Sequence, residues 1–146
     1  MAEGLQDLIV NALYKDSLGY IWIGTASSLE RFDGVHLKSF PIPEEGKRKD
    51  VNTIIEMPGH ELWMGNRTGL WKVNGEKLLR VAADTIRSGV YSLCSDGKGT
   101  LYIGSESGLF IYNSKGVERI LLDPNVLSGA NFIMGMALDD RDILWV

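Results

Sequence analysis

A short segment built around an aromatic residue occurs three times in this chain and begins a fourth time. The copies are Ile21-Trp22-Ile23-Gly24, Leu62-Trp63-Met64-Gly65, Leu101-Tyr102-Ile103-Gly104 and Leu144-Trp145-Val146. From one aromatic to the next the steps are 41, 39 and 43 residues. A repeat of about 40 residues, made of short apolar runs separated by turns, is typical of the blades of a β-propeller.

Each repeat contains the pattern of four short strands. An apolar residue stands twelve places before the aromatic in every copy: Val10, Val51, Val90 and Ile133. Turns rich in Asp, Gly and Pro then lead into the aromatic strand. A third strand begins at Leu29, Leu70 and Leu109, and a weaker fourth strand follows. We expect blades at 9–40, 50–81 and 89–122, and an incomplete one at 131–146, all within one domain.

The aromatic strand is apolar at every position instead of alternating with polar residues. Such a strand is covered on both faces, as it is when each blade lies between two others. The sequence therefore predicts an all-β fold, a partial β-propeller of about three and a half four-stranded antiparallel blades. The repeated aromatics Trp22, Trp63, Tyr102 and Trp145 are predicted to pack in the core. The glycine after the strand (Gly24, Gly65 and Gly104) suits a close approach of neighbouring backbones.

The number of repeats is too small for a closed ring. Closed propellers have roughly four to eight blades, and an open arc exposes apolar blade faces and strand edges. We therefore expect the chain to be a fragment of a longer protein. We also expect copies of the fragment to associate through their open blade faces.

Composition excludes several classes of function. The net charge is -4 and no basic stripe offsets it, so we expect no nucleic-acid partner. No apolar run approaches the roughly 18 residues of a membrane span, so we expect no membrane contact by this segment. Cys94 is the only cysteine, and His36 and His60 stand at unmatched positions of their repeats. We predict no metal site, no cofactor and no catalytic residues, because no nucleophile lies near a base in the sequence.

Positions at which the repeats differ are the better candidates for a binding site. Ala26, Arg67 and Glu106 each stand four residues after the repeated aromatic. Equivalent turns gather on one rim of a propeller, so Arg67 and Glu106 could bind a polar ligand there or simply pair with each other. Trp71 stands where the other repeats have Glu30 and Phe110. We expect it to be partly exposed at a blade edge and to contact a ligand or partner.

The first repeat resembles the repeat of two-component regulator propellers. Its pattern is Asp16-x-x-Gly19-x-Ile21-Trp22-Ile23-Gly24-Thr25, followed by Leu29-x-Arg31-Phe32-Asp33. The second repeat departs from the family pattern at Met57 and Asn66, where Asp and Thr are expected. The third has Tyr102 for the tryptophan and Ser105 for the threonine. The fourth matches at Asp139 and Leu144-Trp145-Val146.

The resemblance implies an extracytoplasmic, periplasmic sensor segment of a bacterial hybrid two-component protein. In this family a membrane span and a cytoplasmic histidine kinase follow the propellers, sometimes with a fused response regulator. Such sensors, in gut Bacteroidetes, commonly detect oligosaccharides and control polysaccharide utilisation. The expected function is thus binding of a ligand, with an oligosaccharide as the implied partner and the kinase outside this chain.

Two alternatives stay open. Streptogramin-lyase-like propellers have related repeats and use a rim histidine with acidic residues and a metal, which would require His36 or His60 near a carboxylate. A passive protein-interaction propeller is the other alternative. The Gly-His and Trp-Asp pairs typical of WD repeats are absent from the blade positions.

Overall fold

The computed structural model describes residues 4–5, 7–43, 49–121 and 131–146, and it shows an all-β architecture. Three four-stranded antiparallel sheets and one two-stranded sheet are formed, and in each the strands follow one another in chain order. This is the predicted partial propeller, and the sheets are called blades 1 to 4 in chain order. Among the described residues no helix is long and apolar enough to cross a membrane.

The strands of each blade lie close to the positions that the repeat predicts. Blade 1 consists of β1 (Val10–Lys15), β2 (Ile21–Thr25), β3 (Leu29–Phe32) and β4 (Leu37–Phe40). Blade 2 consists of β5 (Val51–Met57), β6 (Glu61–Asn66), β7 (Gly69–Asn74) and β8 (Lys77–Val81). Blade 3 consists of β9 (Val90–Ser95), β10 (Leu101–Ser105), β11 (Gly108–Asn113) and β12 (Gly116–Ile120). Blade 4 has β13 (Ala137–Leu138) and β14 (Leu144–Trp145). The predicted end of the third repeat, Leu122, lies outside the described residues.

The first strands of the blades lie side by side, with β5 in contact with both β1 and β9. They are the innermost strands, as expected around a propeller axis. Each first strand starts at one rim, which we call the mouth rim, and runs to the opposite rim. The mouth rim also carries the turns that join the second and third strands, at 25–28, 66–69 and 105–108. Backbone hydrogen bonds join these turns to the strand starts, for example from the Glu106 amide to the Gly89 carbonyl at 3.1 Å.

One contact is repeated at each junction between blades. A Cβ added to Gly24 would lie 2.4 Å from Cγ1 of Val51, and one added to Gly65 would lie 2.4 Å from Cγ1 of Val90. At Gly104 the nearest atom is Cγ2 of Ile133, at 2.7 Å. These distances are far inside van der Waals contact. The glycine of one blade is therefore the space into which the first strand of the next blade packs.

The core is divided between the junctions. One cluster joins blades 1 and 2 and includes Trp22, Leu29, Ile54 and Met64. A second joins blades 2 and 3 and includes Trp63, Leu70, Val90 and Ile103. Strand β6 supplies side chains to both clusters, and its residues Leu62 to Asn66 are all buried. A strand between two neighbouring blades therefore has apolar side chains on both faces, because both faces are covered.

The repeated aromatics differ in how deeply they are buried. Trp22 and Trp63 are only 4% and 3% exposed, and Tyr102 is half-buried. Trp145 is 59% exposed, so the prediction that it packs in the core is wrong for this chain. The physical reason is that Trp22 and Trp63 pack against a following blade, whereas no described residue covers Trp145 in this way.

On the opposite rim, blades 1 and 4 share an aspartate whose carboxylate accepts hydrogen bonds from both a turn and an indole. Oδ1 of Asp16 accepts from the amides of Leu18 and Tyr20, while its Oδ2 accepts from Nε1 of Trp22 at 2.8 Å. Asp139 serves Trp145 in the same way. Blade 2 has Met57 at this place, and Nε1 of Trp63 donates instead to Oε2 of Glu61 at 3.1 Å. The departure at Met57 is thereby compensated within the same hairpin.

Candidate functional site: the mouth of the propeller axis

A concavity of about 410 Å³ opens at the mouth rim, where the starts of the innermost strands converge. All four repeats contribute to its wall, which is formed by Ile9, Asn11, Ala26, Asp50, Asn52, Arg67, Tyr91 and Met134. Concave sites with a few convergent polar groups are the usual place for a ligand. This concavity is the candidate site, and we call it the axial mouth.

The wall of the axial mouth is made of positions that vary between the repeats. The residue eleven places before the aromatic is Asn11, Asn52, Tyr91 or Met134. The residue next to it, twelve places before the aromatic, is always Val or Ile and packs into a blade junction. Adjacent positions therefore have separate roles, one in the fold and the other at the mouth.

A β-bulge occurs at the mouth position in each complete blade. The register shifts between Val10 and Ala12, and between Val51 and Thr53, so Asn11 and Asn52 are the extra residues. In blade 3 the shift leaves Tyr91 as the extra residue. Bulges change the direction of a side chain and are common beside functional sites. Here they let the preceding valine enter the junction while the next side chain lines the mouth.

Blade 2 gives the mouth its charged groups. Nε of Arg67 lies 3.1 Å from Oδ2 of Asp50, in an ion pair in which the Asp50 side chain is 13% exposed and the Arg67 side chain 44%. The side-chain amide of Asn52 donates to the carbonyl of Val90 at 3.0 Å. Asp50 thus orients the guanidinium of Arg67 at the wall, and Asn52 links blade 2 to blade 3.

Blade 3 contributes an aromatic hydroxyl with a carboxylate partner. The hydroxyl of Tyr91 donates to Oε1 of Glu106 at 2.9 Å. Burial raises the pKa of the Tyr91 phenol, and the hydrogen bond to Glu106 raises it further. The ring of Tyr91 also lies 5.0 Å from that of Phe132, centroid to centroid. Tyr91 therefore stays protonated near neutral pH and offers both a ring and a polar tip at the mouth.

Two of the three predicted binding residues lie at this rim. Arg67 lines the axial mouth, and Glu106 reaches it through Tyr91, but they do not pair with each other: Arg67 pairs with Asp50. Trp71 is elsewhere. It is only 4% exposed, so the expected partial exposure is wrong.

The burial of Trp71 follows from another departure in the second repeat. Asn66 is fully buried, and its Oδ1 accepts from the amides of Thr68 and Gly69 and from Nε1 of Trp71 at 3.1 Å. The equivalent Thr25 and Ser105 hold their turns with a hydroxyl. The amide at position 66 therefore provides an acceptor for the indole, which becomes part of the scaffold under the Arg67 turn.

A second polar cluster lies on the opposite rim, between blades 1 and 2. The hydroxyl of Ser17 lies 2.8 Å from Nδ1 of His60 and 3.0 Å from Oε2 of Glu56. The backbone amide of Ser17 also donates to Glu56. The sequence did not predict this serine and histidine as neighbours. The carboxylate binds the serine hydroxyl and amide instead of orienting the imidazole, which is not the arrangement of a catalytic triad.

Each histidine stands beside a carboxylate. His60 lies 3.8 Å from Glu56, and His36 lies 3.9 Å from Asp33 in a turn of blade 1. A histidine beside a carboxylate is one of the features that the lyase-like alternative requires. Across the described residues, however, no group of three or more His, Cys, Asp or Glu side chains is placed to hold a metal ion.

The residues of the mouth that sequence reasoning missed are Asn11, Asp50, Asn52, Tyr91 and Met134. Their variability beside an invariant apolar position was visible in the alignment of the repeats. The bulges at Asn11, Asn52 and Tyr91 were not, since a bulge depends on pairing between strands.

Comparison with known proteins gives a family likeness and a fold. The family described as two component regulator propeller matches residues 4–27, which confirms the resemblance in the first repeat. No curated protein sequence matches the chain.

Several solved structures share the fold at low sequence identity. The extracellular domain of BT4673 from B. thetaiotaomicron, described as a hybrid two-component system, has a TM-score of 0.79 at 20% identity and is matched over 98% of this chain and 21% of that one. Virginiamycin B lyase from Staphylococcus aureus has a TM-score of 0.73 at 15% identity, and the match covers 96% of this chain and 49% of the lyase chain. PorZ from Porphyromonas gingivalis, a component of the type-IX secretion system, has a TM-score of 0.68 at 17% identity. That match covers 99% of this chain and 25% of the PorZ chain. The chain thus spans about a fifth of the length of the BT4673 domain, and these likenesses establish the β-propeller fold.

Proposed function

We propose that this chain is the ligand-binding part of a sensor propeller of a two-component system and that the ligand is an oligosaccharide bound at the axial mouth. The proposal places the chain on the periplasmic side of a bacterial inner membrane. The single observation that carries it is the axial mouth itself. Its wall is lined by residues that vary between the repeats, and three of them, Asn11, Asn52 and Tyr91, stand at bulges of the first strands.

The chemistry of the wall suits a polyhydroxylated ligand. Asn11, Asn52 and the Asp50–Arg67 pair supply hydrogen-bond donors and acceptors, which sugar hydroxyl groups need. Tyr91, with its ring and its hydroxyl, can contact the apolar face of a sugar and its edge at once. Opposite charges compensate each other within the wall, so the site does not depend on a strongly charged ligand.

Binding is supported over catalysis by the positions of the reactive groups. His36 and His60 both lie on the opposite rim, at turns between strands, and neither lines the axial mouth. In the described mouth the hydroxyl of Tyr91 contacts the carboxylate of Glu106, but burial and Glu106 raise the pKa of the phenol, so this contact does not activate it as a nucleophile. The fold shared with virginiamycin B lyase does not bring that activity with it, because one fold supports many functions.

Signalling in the proposed role requires two states of the parent protein that bind the ligand with different affinity. A ligand shifts the balance between two states only by its differential affinity for them. The kinase that would read this shift belongs to the parent protein and not to these residues.

Binding of arrayed oligosaccharides, followed by calorimetry with each sugar that binds, tests the proposal. Asn52→Ala and Arg67→Ala each remove donors from the wall. We expect Asn52→Ala to weaken binding about 2- to 10-fold and Arg67→Ala about 10- to 100-fold, since a neutral hydrogen bond contributes about 0.5–1.5 kcal/mol and one with a charged group about 1.5–3 kcal/mol. Lys98→Ala is the matched control, because Lys98 is exposed on the opposite rim beside Asp142. Binding that survives both mouth substitutions, or that Lys98→Ala abolishes, contradicts the proposal.

A further inference from the structure

A cleft of about 200 Å³ lies in the junction between blades 1 and 2, on the opposite rim. We call it the junction cleft. Blade 1 contributes Tyr20, Trp22 and Arg31 to its wall, and blade 2 contributes Leu62 and Val73. Both blades have all four strands, so the cleft lies between two complete neighbours of the repeat.

The next junction shows what occupies the equivalent space between blades 2 and 3. Trp63 stands at the place of Trp22, and Tyr112 stands at the place of Val73. The rings of Trp63 and Tyr112 are in contact, with their centroids 5.1 Å apart. Trp22 instead packs on Phe40 of its own blade, and Val73 is too small to fill the space that a tyrosine fills. Since an apolar cavity of about 150 Å³ holds a benzene molecule, the junction cleft has room for one aromatic ring.

Arg31 brings a positive charge to the wall of the junction cleft. It is paired with Trp22 between β2 and β3, and its Cζ lies 4.4 Å from the centroid of the Tyr20 ring. The residue is half-buried, and among the described residues it has no ion pair and no hydrogen bond. Lys38, its neighbour on β4, is paired with Glu76 of blade 2 at 2.7 Å. A guanidinium that lies over a ring keeps its N–H groups for a planar carboxylate, which it binds through two parallel hydrogen bonds.

Two other ionisable side chains line the junction cleft, and both have partners within the chain. The carboxylate of Asp16 accepts from two amides of its own turn and from the Trp22 indole. The imidazole of His60 is hydrogen-bonded to the hydroxyl of Ser17. The wall thus carries one carboxylate that three donors already stabilise and one guanidinium, that of Arg31, that faces aromatic rings.

We propose that the junction cleft binds a small aromatic carboxylate. The ring of the ligand lies between Trp22 and Val73, where the next junction has the ring of Tyr112, and its carboxylate pairs with Arg31. The cleft and the axial mouth are on opposite rims, so this proposal stands whether or not the mouth binds a sugar. A ligand held between the two blades binds only the folded chain and therefore stabilises it.

Benzoate and its neutral analogue benzamide are the probes that test the proposal. In an NMR titration of the whole chain, we expect benzoate to shift the indole N–H signal of Trp22 and to leave the amide signal of Tyr91, at the axial mouth, unchanged. Benzamide should bind about 10-fold more weakly, since hydrogen bonds between charged groups are roughly twice as strong as neutral ones. Arg31→Gln should weaken benzoate binding about 10-fold and remove its preference over benzamide.

Val73→Tyr gives blade 2 the residue that blade 3 has at this place, and it should abolish binding of both probes. Val35→Tyr makes the same change in the exposed turn between β3 and β4, and Arg141→Gln removes an exposed guanidinium that is paired with Asp139. Both controls should leave benzoate binding unchanged.

Three results would overturn the proposal: no binding of benzoate, equal binding of benzoate and benzamide, or benzoate binding that Val73→Tyr leaves intact. Far-UV circular dichroism shows whether each variant is folded. If Val73→Tyr fails this check, the preference for benzoate over benzamide in Arg31→Gln decides the outcome, and a preference that persists in that variant contradicts the role of Arg31.

Discussion

The substitution Gly65→Ala tests the physical basis of the repeat. The new Cβ would lie 2.4 Å from Cγ1 of Val90 and 2.9 Å from Cγ2 of Thr53, where carbon atoms prefer about 3.5–4.0 Å. Val90 is fully buried between blades 2 and 3, so relief requires that the blades separate or that side chains leave their rotamers. Overpacking of this kind costs about 1–3 kcal/mol.

The same substitution also has a stabilising effect, which is smaller than the steric cost. Alanine restricts the unfolded chain more than glycine does, which alone would stabilise the fold by about 0.4–1 kcal/mol. The steric cost is the larger of the two, so we expect a net loss of about 1–2 kcal/mol in the free energy of unfolding, measured by urea denaturation. Gly135→Ala is the control, because a Cβ there meets no atom within 4 Å. It should show the unfolded-state effect alone, a gain of about 0.4–1 kcal/mol.

Val90→Ala supplies the decisive comparison. Alone it removes buried carbon atoms from the junction and should cost about 2 kcal/mol. Combined with Gly65→Ala it makes space for the added methyl group, so the double variant should be more stable than the sum of the single effects by about 1 kcal/mol. If Gly65→Ala is harmless, or if the two effects simply add, the glycine is not the receptor for the next blade.

Two further predictions concern groups at the mouth rim and beneath it. Burial and the hydrogen bond to Glu106 raise the pKa of the Tyr91 phenol. The stability that this group contributes is therefore complete below the ordinary pKa of tyrosine and is lost as pH rises through the raised pKa. Glu106→Gln should move the pKa of Tyr91 back toward its ordinary value in an NMR titration of the ring. Asn66→Ala removes a fully buried side chain that accepts from two amides and from the Trp71 indole, and it should cost about 1–3 kcal/mol. Glu61 is an exposed acceptor of the Trp63 indole, so Glu61→Ala should cost at most about 1 kcal/mol in the same denaturation assay. A loss of stability at Glu61 equal to or larger than the loss at Asn66 would contradict the structural role given to the buried Asn66 side chain.

Repetition in the sequence was enough to predict the strands and the blades. Because the aromatic, the glycine and the apolar residue twelve places earlier recur together, each could be assigned to the fold without knowledge of its contacts. The structure adds the reason, since the glycine of one blade and the valine of the next occupy the same junction.

Features that depend on one particular neighbour could not be predicted in this way. Trp145 was assigned to the core by equivalence with Trp22, yet an aromatic is buried only where a following blade covers it. Trp71 looked exceptional by size, but its burial depends on the acceptor provided by Asn66. Ser17 and His60 are distant in sequence and belong to different repeats, so only the packing of blade 1 against blade 2 brings them together.

Hydrogen exchange of the whole chain, with and without an oligosaccharide that it binds, locates the ligand on the propeller. We expect slower exchange in the segments that form the axial mouth, at 50–52, 66–69 and 89–91, and unchanged exchange in the turns of the opposite rim. Slower exchange confined to the turns at 16–20 and 57–60, with the mouth unaffected, would show that the ligand binds elsewhere and that the variable bulged residues are not the site.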